Sequence, residues 1–92
     1  MPKIIAIDYG GRRCGIAETD DLQIIASPLT TVDTKEIYNF MALYLAKNEV
    51  ETLVVGLPLR MSGEVSDIET EILKFIKKFS EKYPHIAITR IN

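Results

Sequence analysis

Lys3-Ile4-Ile5-Ala6-Ile7-Asp8-Tyr9-Gly10-Gly11 is the stretch on which the fold turns. An apolar run rich in isoleucine and closed by a glycine pair predicts a strand buried on both faces that ends in a turn. That strand delivers Asp8 at its carboxyl end. From Arg12 to Thr19, the small and apolar residues Cys14, Ile16 and Ala17 continue extended, and Asp20-Asp21 predict a turn into a third strand from Leu22 to Ser27. Pro28 is expected to end that strand, because proline cannot donate to a ladder.

Downstream the period changes. Asp33 and Glu36 stand at capping-box spacing, and Ile37, Phe40, Met41, Tyr44 and Leu45 follow at i, i+3, i+4, i+7 and i+8, the stripe of an amphipathic helix. Glu51 to Leu57, with Leu53, Val54 and Val55 ahead of Gly56 and Pro58, predicts an interior strand. Ser66 and Glu69 repeat the capping-box spacing before Ile68, Ile72, Phe75, Ile76 and Phe79, giving a second helix to about Lys82. Tyr83-Pro84-His85 breaks it, and Ile86 to Ile91 predicts a fifth strand. The resulting order, β-β-β-α-β-α-β, is an α/β mixed sheet with helices packed on it. An open sheet that closes on a bare strand is expected to leave one face thinly covered, which a further element or a homodimer would supply.

The composition bounds the function. A chain of 92 residues and 10.4 kDa makes one small domain, 1–92, and 47% hydrophobic against 26% charged residues describes a packed protein. A net charge of −2 offers no global basic field for nonspecific DNA binding, although a local cluster can still hold phosphate. The single cysteine, Cys14, excludes an internal disulfide and any multi-cysteine zinc site. It is read as a small buried hydrophobe. The apolar start is too short for a signal peptide, and no run of about 18 apolar residues occurs, so a cytoplasmic protein without a membrane span is expected.

Two constellations carry chemistry. In Asp8-Tyr9-Gly10-Gly11-Arg12-Arg13, a strand-end carboxylate can hold a divalent cation, the glycines allow backbone to approach a phosphate, and the arginines offer charge-assisted hydrogen bonds. A solvated turn explains the same residues equally well. In Gly56-Leu57-Pro58-Leu59-Arg60-Met61-Ser62-Gly63, Gly56 allows close approach while Arg60 and Ser62 can reach a phosphate backbone. An ordinary strand-to-helix loop competes with that reading. If strands one and four are parallel neighbours, both constellations lie at one crevice beyond the strand ends. His85 is read as a surface imidazole, the lysines Lys74, Lys77, Lys78 and Lys82 as a solvated helix face, and Tyr38, Tyr44, Phe75 and Phe79 as core.

Ile5-Ala6-Ile7-Asp8-Tyr9-Gly10 with Arg13 and Gly15-Ile16-Ala17, then Ala26-Ser27-Pro28-Leu29, then Val54-Val55-Gly56-Leu57-Pro58-Leu59 and Gly63, resemble the YqgF (RuvX) family. The resemblance covers the whole chain in order and spacing. It implies an RNase H-like fold and a Mg2+- or Mn2+-dependent phosphodiesterase, related to the RuvC Holliday junction resolvases, that trims the 5′ end of precursor 16S rRNA. Nucleic acid, as precursor rRNA or branched DNA, is the implied partner, and ribosome biogenesis the implied setting. By position, Asp8 matches the catalytic, metal-binding aspartate of strand one, Gly10 its turn glycine and Arg13 the basic residue after it. Gly56, Leu57 and Pro58 match the strand-four motif. The family's next signature, Asp-Glu-Arg, begins where this sequence ends, so Asn92 stands at its aspartate as a candidate oxygen ligand, and the closing helical region lies beyond. Relative to the family the chain is therefore C-terminally incomplete.

Two-ion hydrolysis of a phosphodiester needs several carboxylates holding metals about 4 Å apart. Asn92 brings an oxygen but no charge. Glu64, Asp67 and Glu69 lie near the strand-four loop, where helix capping and the helix dipole account for them. A catalytically incomplete relative that binds nucleic acid or protein is accordingly the alternative to a nuclease. Half of an actin-like ATPase, which shares the strand-one Asp and glycine turn, is opposed by length.

Overall fold

The computed structural model describes residues 2–20, 26–58 and 67–91. Among them, β1 (Lys3–Tyr9), β2 (Arg13–Thr19) and β3 (Ala26–Asp33) are followed by a 3-10 turn, Thr34–Glu36, and helix α1 (Ile37–Lys47). Then come β4 (Val50–Gly56), α2 (Glu69–Lys82) and β5 (Ala87–Ile91). The strands form one sheet in the order β3-β2-β1-β4-β5. β1 to β3 are an antiparallel meander, and β4 and β5 lie parallel to β1 on its other side. This mixed α/β arrangement is compatible with an RNase H-like fold.

The alternation along each strand decides where the core lies. Ile5 and Ile7, Cys14 and Ile16, and Leu53 and Val55 point to one side of the sheet and are buried there with Ile37, Met41 and Tyr44 of α1 and Ile72, Phe75 and Phe79 of α2. Both helices thus pack in one layer on the same face. Tyr38 of α1 meets Phe75 of α2 with ring centroids 5.6 Å apart, and Phe75 also meets Tyr9 at 5.4 Å. Burying side chains of this size gives about 1.5–3 kcal/mol each.

Several expectations are corrected. β3 passes through Pro28, which pairs with Ala17, rather than ending before it. It is an edge strand, so a proline without an N–H is tolerated, and the ladder shifts register between Ile16 and Ala17. Residues 22–25 of the predicted third strand lie outside the described residues. The first capping box does not form: Asp33 makes no side-chain cap, and residues 34–36 tighten into a 3-10 turn. Ser66 lies outside the described residues, and Ile68 occupies the α2 N-cap. β1 is not buried on both faces, because Ile4 and Ala6 keep partial exposure and Asp8 is exposed. Tyr38, expected in the core, retains 43% of its surface. Cys14 is fully buried and His85 exposed, as expected.

Candidate functional site

Asp8 stands one residue before the end of β1, on the face opposite the helices. Its antiparallel partner is Gly15, and the parallel ladder with β4 runs through Ile7↔Val55, one step short of Gly56. The carboxylate therefore lies between two strands that present no side chain at that level. A Cβ on Gly15 would come 3.7 Å from the Asp8 Cβ, so glycine at that position leaves the approach to the carboxylate open. Strands one and four are parallel neighbours, and Asp8 and Gly56 share the crevice at their carboxyl ends.

The turn after Asp8 is rigidly built. The Gly10 N–H donates to the Arg13 carbonyl at 3.0 Å. A Cβ at Gly10 would sit 2.5 Å from that same oxygen, so the turn requires glycine there. Thr34 fastens the turn from across the sheet: its hydroxyl donates to the Gly10 carbonyl at 2.7 Å, and its N–H to the Arg12 carbonyl at 2.9 Å. Gly11, Arg12 and Arg13 are exposed, with the two guanidiniums facing solvent at this edge. They flank the turn rather than close on Asp8: a groove of about 460 Å³ beside it is lined by Gly11, Arg12, Arg13, Asp33 and Lys35.

At the end of β4 the backbone is held by Arg90. Its Nε donates to the Val55 carbonyl at 3.2 Å and one Nη to the Gly56 carbonyl at 2.9 Å. The same guanidinium grips both carboxylate oxygens of Glu69, at 2.6 and 3.0 Å, in the first turn of α2. Arg90 thus ties the place where the β4 loop departs to the place where α2 resumes. Glu69 is committed to this pair rather than to Asp8.

The face bearing Asp8 is a shallow apolar trough of about 640 Å³, floored by Ala6, Ala17 and Val54 and rimmed by Pro28, Leu29 and Ile91. Among the described residues Asp8 is the one carboxylate lining it. Among the described residues no three His, Cys, Asp or Glu side chains gather closely enough to hold a metal ion. One carboxylate suffices for a weakly held, largely hydrated hard cation. It does not fit the several-carboxylate centre that two-ion hydrolysis requires. Arg60, Ser62 and Asn92, proposed from sequence for phosphate and metal, lie outside the described residues.

The structure adds three residues that sequence reasoning missed. Arg90 had a signal: it shares a strand face with Ile88, where a charged side chain demands a partner. Thr34 and Lys35 had none, since their roles depend on β3 folding back beside the β1–β2 turn. Tyr9, whose ring lies on the helix side, has its phenol pushed above the usual tyrosine range, first by burial and then by nearby negative charge including Glu71. Among the described residues no helix is long and apolar enough to cross a membrane.

The family described as RuvX, Holliday junction resolvase, matches residues 2–92. A protein of Flavobacterium psychrophilum is 46% identical over all 92 residues. Proteins of Porphyromonas gingivalis and Bacteroides thetaiotaomicron are 44% and 41% identical over the same span. All three bear the name "Putative pre-16S rRNA nuclease", and this chain covers 67% of the length of each.

Proposed function

This chain belongs to the RuvX family, and from that premise we propose that it serves a nuclease that hydrolyses phosphodiester bonds in 5′-end processing of precursor 16S rRNA. Branched DNA is the competing substrate. The observation that carries this reading is the placement of Asp8 at the carboxyl end of β1, between Gly15 and Gly56, where a bulky backbone can reach it. The RNase H-like fold belongs to the same reading, supported by the strand order and by both helices on one face. In this reading Arg12 and Arg13, with Gly10 and Gly11 in the turn, hold phosphate oxygens by charge-assisted hydrogen bonds, and Gly56, Arg60 and Ser62 are the further phosphate-binding residues that the sequence offers.

Mg2+ or Mn2+ is the implied cofactor, with Asp8 as one ligand and Asn92 as an uncharged oxygen donor. Bound there, such an ion would supply Lewis acidity toward a water and toward the phosphate charge. The remaining carboxylates have to come from outside the described residues. That shortfall favours a second reading, a relative that binds nucleic acid or protein without cleaving. The setting is cytoplasmic, with self-association as an added expectation.

The test is Mn2+-dependent cleavage of a structured precursor RNA and a four-way DNA junction by the protein and by Asp8→Asn. Cleavage lost in Asp8→Asn with binding retained supports the nuclease, and the preferred substrate separates RNA processing from junction resolution. Binding without cleavage in either protein supports the second reading. Cleavage undiminished by Asp8→Asn removes Asp8 from the chemistry.

A further inference from the structure

We infer, building on the nucleic-acid reading above, that the groove between the β1–β2 turn and the β3–α1 junction seats a phosphate backbone, with Lys35 as a third cation beside Arg12 and Arg13. No sequence motif points to Lys35. It reaches the site because β3 returns antiparallel to β2, pairing Asp33 with Arg13 and placing the next two residues alongside the turn.

The charge there runs against the rest of the molecule. A chain with net charge −2 gathers Arg12, Arg13 and Lys35 around one groove, where Asp33 is the one carboxylate among the described lining residues. Of the other described cations, Lys74 and Lys77 line a groove together with the carboxylates of Glu71 and Glu81, Lys47 stands alone at the end of α1, and four are engaged. Lys3 pairs with Glu18 at 3.4 Å and Arg90 with Glu69 at 2.6 Å, while Lys78 and Lys82 lie over the rings of Tyr38 and Tyr83. Arg12, Arg13 and Lys35 enter no ion pair or ring contact among the described residues, and all three are exposed. Cations left without internal partners keep their full charge for a polyanion.

The groove is also preorganised. Thr34, between Asp33 and Lys35, is bonded through its hydroxyl to Gly10 and through its N–H to Arg12. The two segments that carry the cations therefore move as one body, and less ordering accompanies binding. Gly11 keeps the floor low: the atom nearest to a Cβ there is the Ile68 Cδ1, at 3.7 Å.

The experiment is fluorescence anisotropy of a labelled single-stranded RNA with EDTA present, so that binding is read without cleavage, between 50 and 200 mM salt. Each phosphate contact on a single strand contributes a slope of about −0.7 in log affinity against log salt. Three contacts predict roughly an 18-fold loss over that range, and two predict roughly 7-fold. Lys35→Ala is expected to flatten the slope by about one contact's share, and Asp33→Asn to tighten binding. Lys47→Ala, at the far end of α1 and about 15 Å along its axis, is expected to leave the slope unchanged. If the protein binds RNA and Lys35→Ala behaves like Lys47→Ala, the groove assignment is overturned while the nuclease reading stands. If no RNA binds at 50 mM, the groove assignment is overturned, and if a four-way DNA junction also fails to bind, the nuclease reading falls with it.

Discussion

Replacing Arg90 with alanine removes the link between β4, β5 and α2 at once. The guanidinium makes two hydrogen bonds to the Glu69 carboxylate and one each to the carbonyls of Val55 and Gly56, with 23% of the Arg90 side chain and 13% of the Glu69 side chain still exposed. Breaking a fully buried pair costs about 3–5 kcal/mol, and an exposed one about 0–1 kcal/mol. The partial exposure places this pair between those limits. Adding the two hydrogen bonds lost to the Val55 and Gly56 carbonyls, Arg90→Ala should cost about 2–3 kcal/mol. For a 92-residue chain this lowers Tm by roughly 10–20 °C. Urea unfolding followed by circular dichroism gives the value directly. Glu69→Gln should cost about 1 kcal/mol, less than Arg90→Ala, because the arginine keeps its carbonyl acceptors. The double variant should be less destabilised than the sum, since the two changes remove one shared interaction. A cost for Arg90→Ala under about 0.5 kcal/mol, or strict additivity with Glu69→Gln, would refute the assignment of Arg90 as the clamp.

Other outcomes follow from the same geometry. Gly10→Ala drives a Cβ to 2.5 Å from the Arg13 carbonyl and is expected to cost about 1–3 kcal/mol, whereas Gly11→Ala, with no atom closer than 3.7 Å, should stay within about 0.5 kcal/mol by thermal melting. Tyr44→Phe removes the 2.6 Å hydrogen bond from the phenol to Glu18 and should cost about 1 kcal/mol in denaturant titration. Tyr9 and Tyr38 both ionise above the usual tyrosine range, chiefly through burial. A folded pKa raised above the unfolded one contributes stability that is complete below about pH 10 and is lost as pH rises through the folded value. Tyr9→Phe should therefore remove a late component from the phenolate absorbance titration and soften the alkaline loss of stability.

Much of the element order was legible because each helix and interior strand carries its own period. Ile37, Met41 and Tyr44, and Ile72, Phe75 and Phe79, are the buried members of the two predicted helical stripes. The edge was harder. Pro28 reads as a terminator in isolation, and only its position on an edge strand permits the ladder to run past it. Both capping boxes had the right spacing, yet Asp33 caps nothing and Glu69 turns to Arg90, a partner 21 residues away that local reasoning cannot supply. Of the candidate site, Asp8 and Gly56 at one crevice were readable from strand ends. The fastening by Thr34 was not, since it bridges residues 24 apart through tertiary structure.

The strand connectivity sets an order of assembly. Tyr9 and Cys14 pair across a turn of four residues, so the meander β1-β2-β3 closes at little cost in chain entropy. Lys3 meets Val50 only after α1 has carried the chain across the sheet, and Thr52 meets Ala87 later still. The amino-terminal third can thus zip while the parallel half is still searching, and it is also the part that leaves the ribosome first. Changes at Gly10 then register in the rate of folding, and changes at Arg90, which joins the last elements to arrive, register in the rate of unfolding.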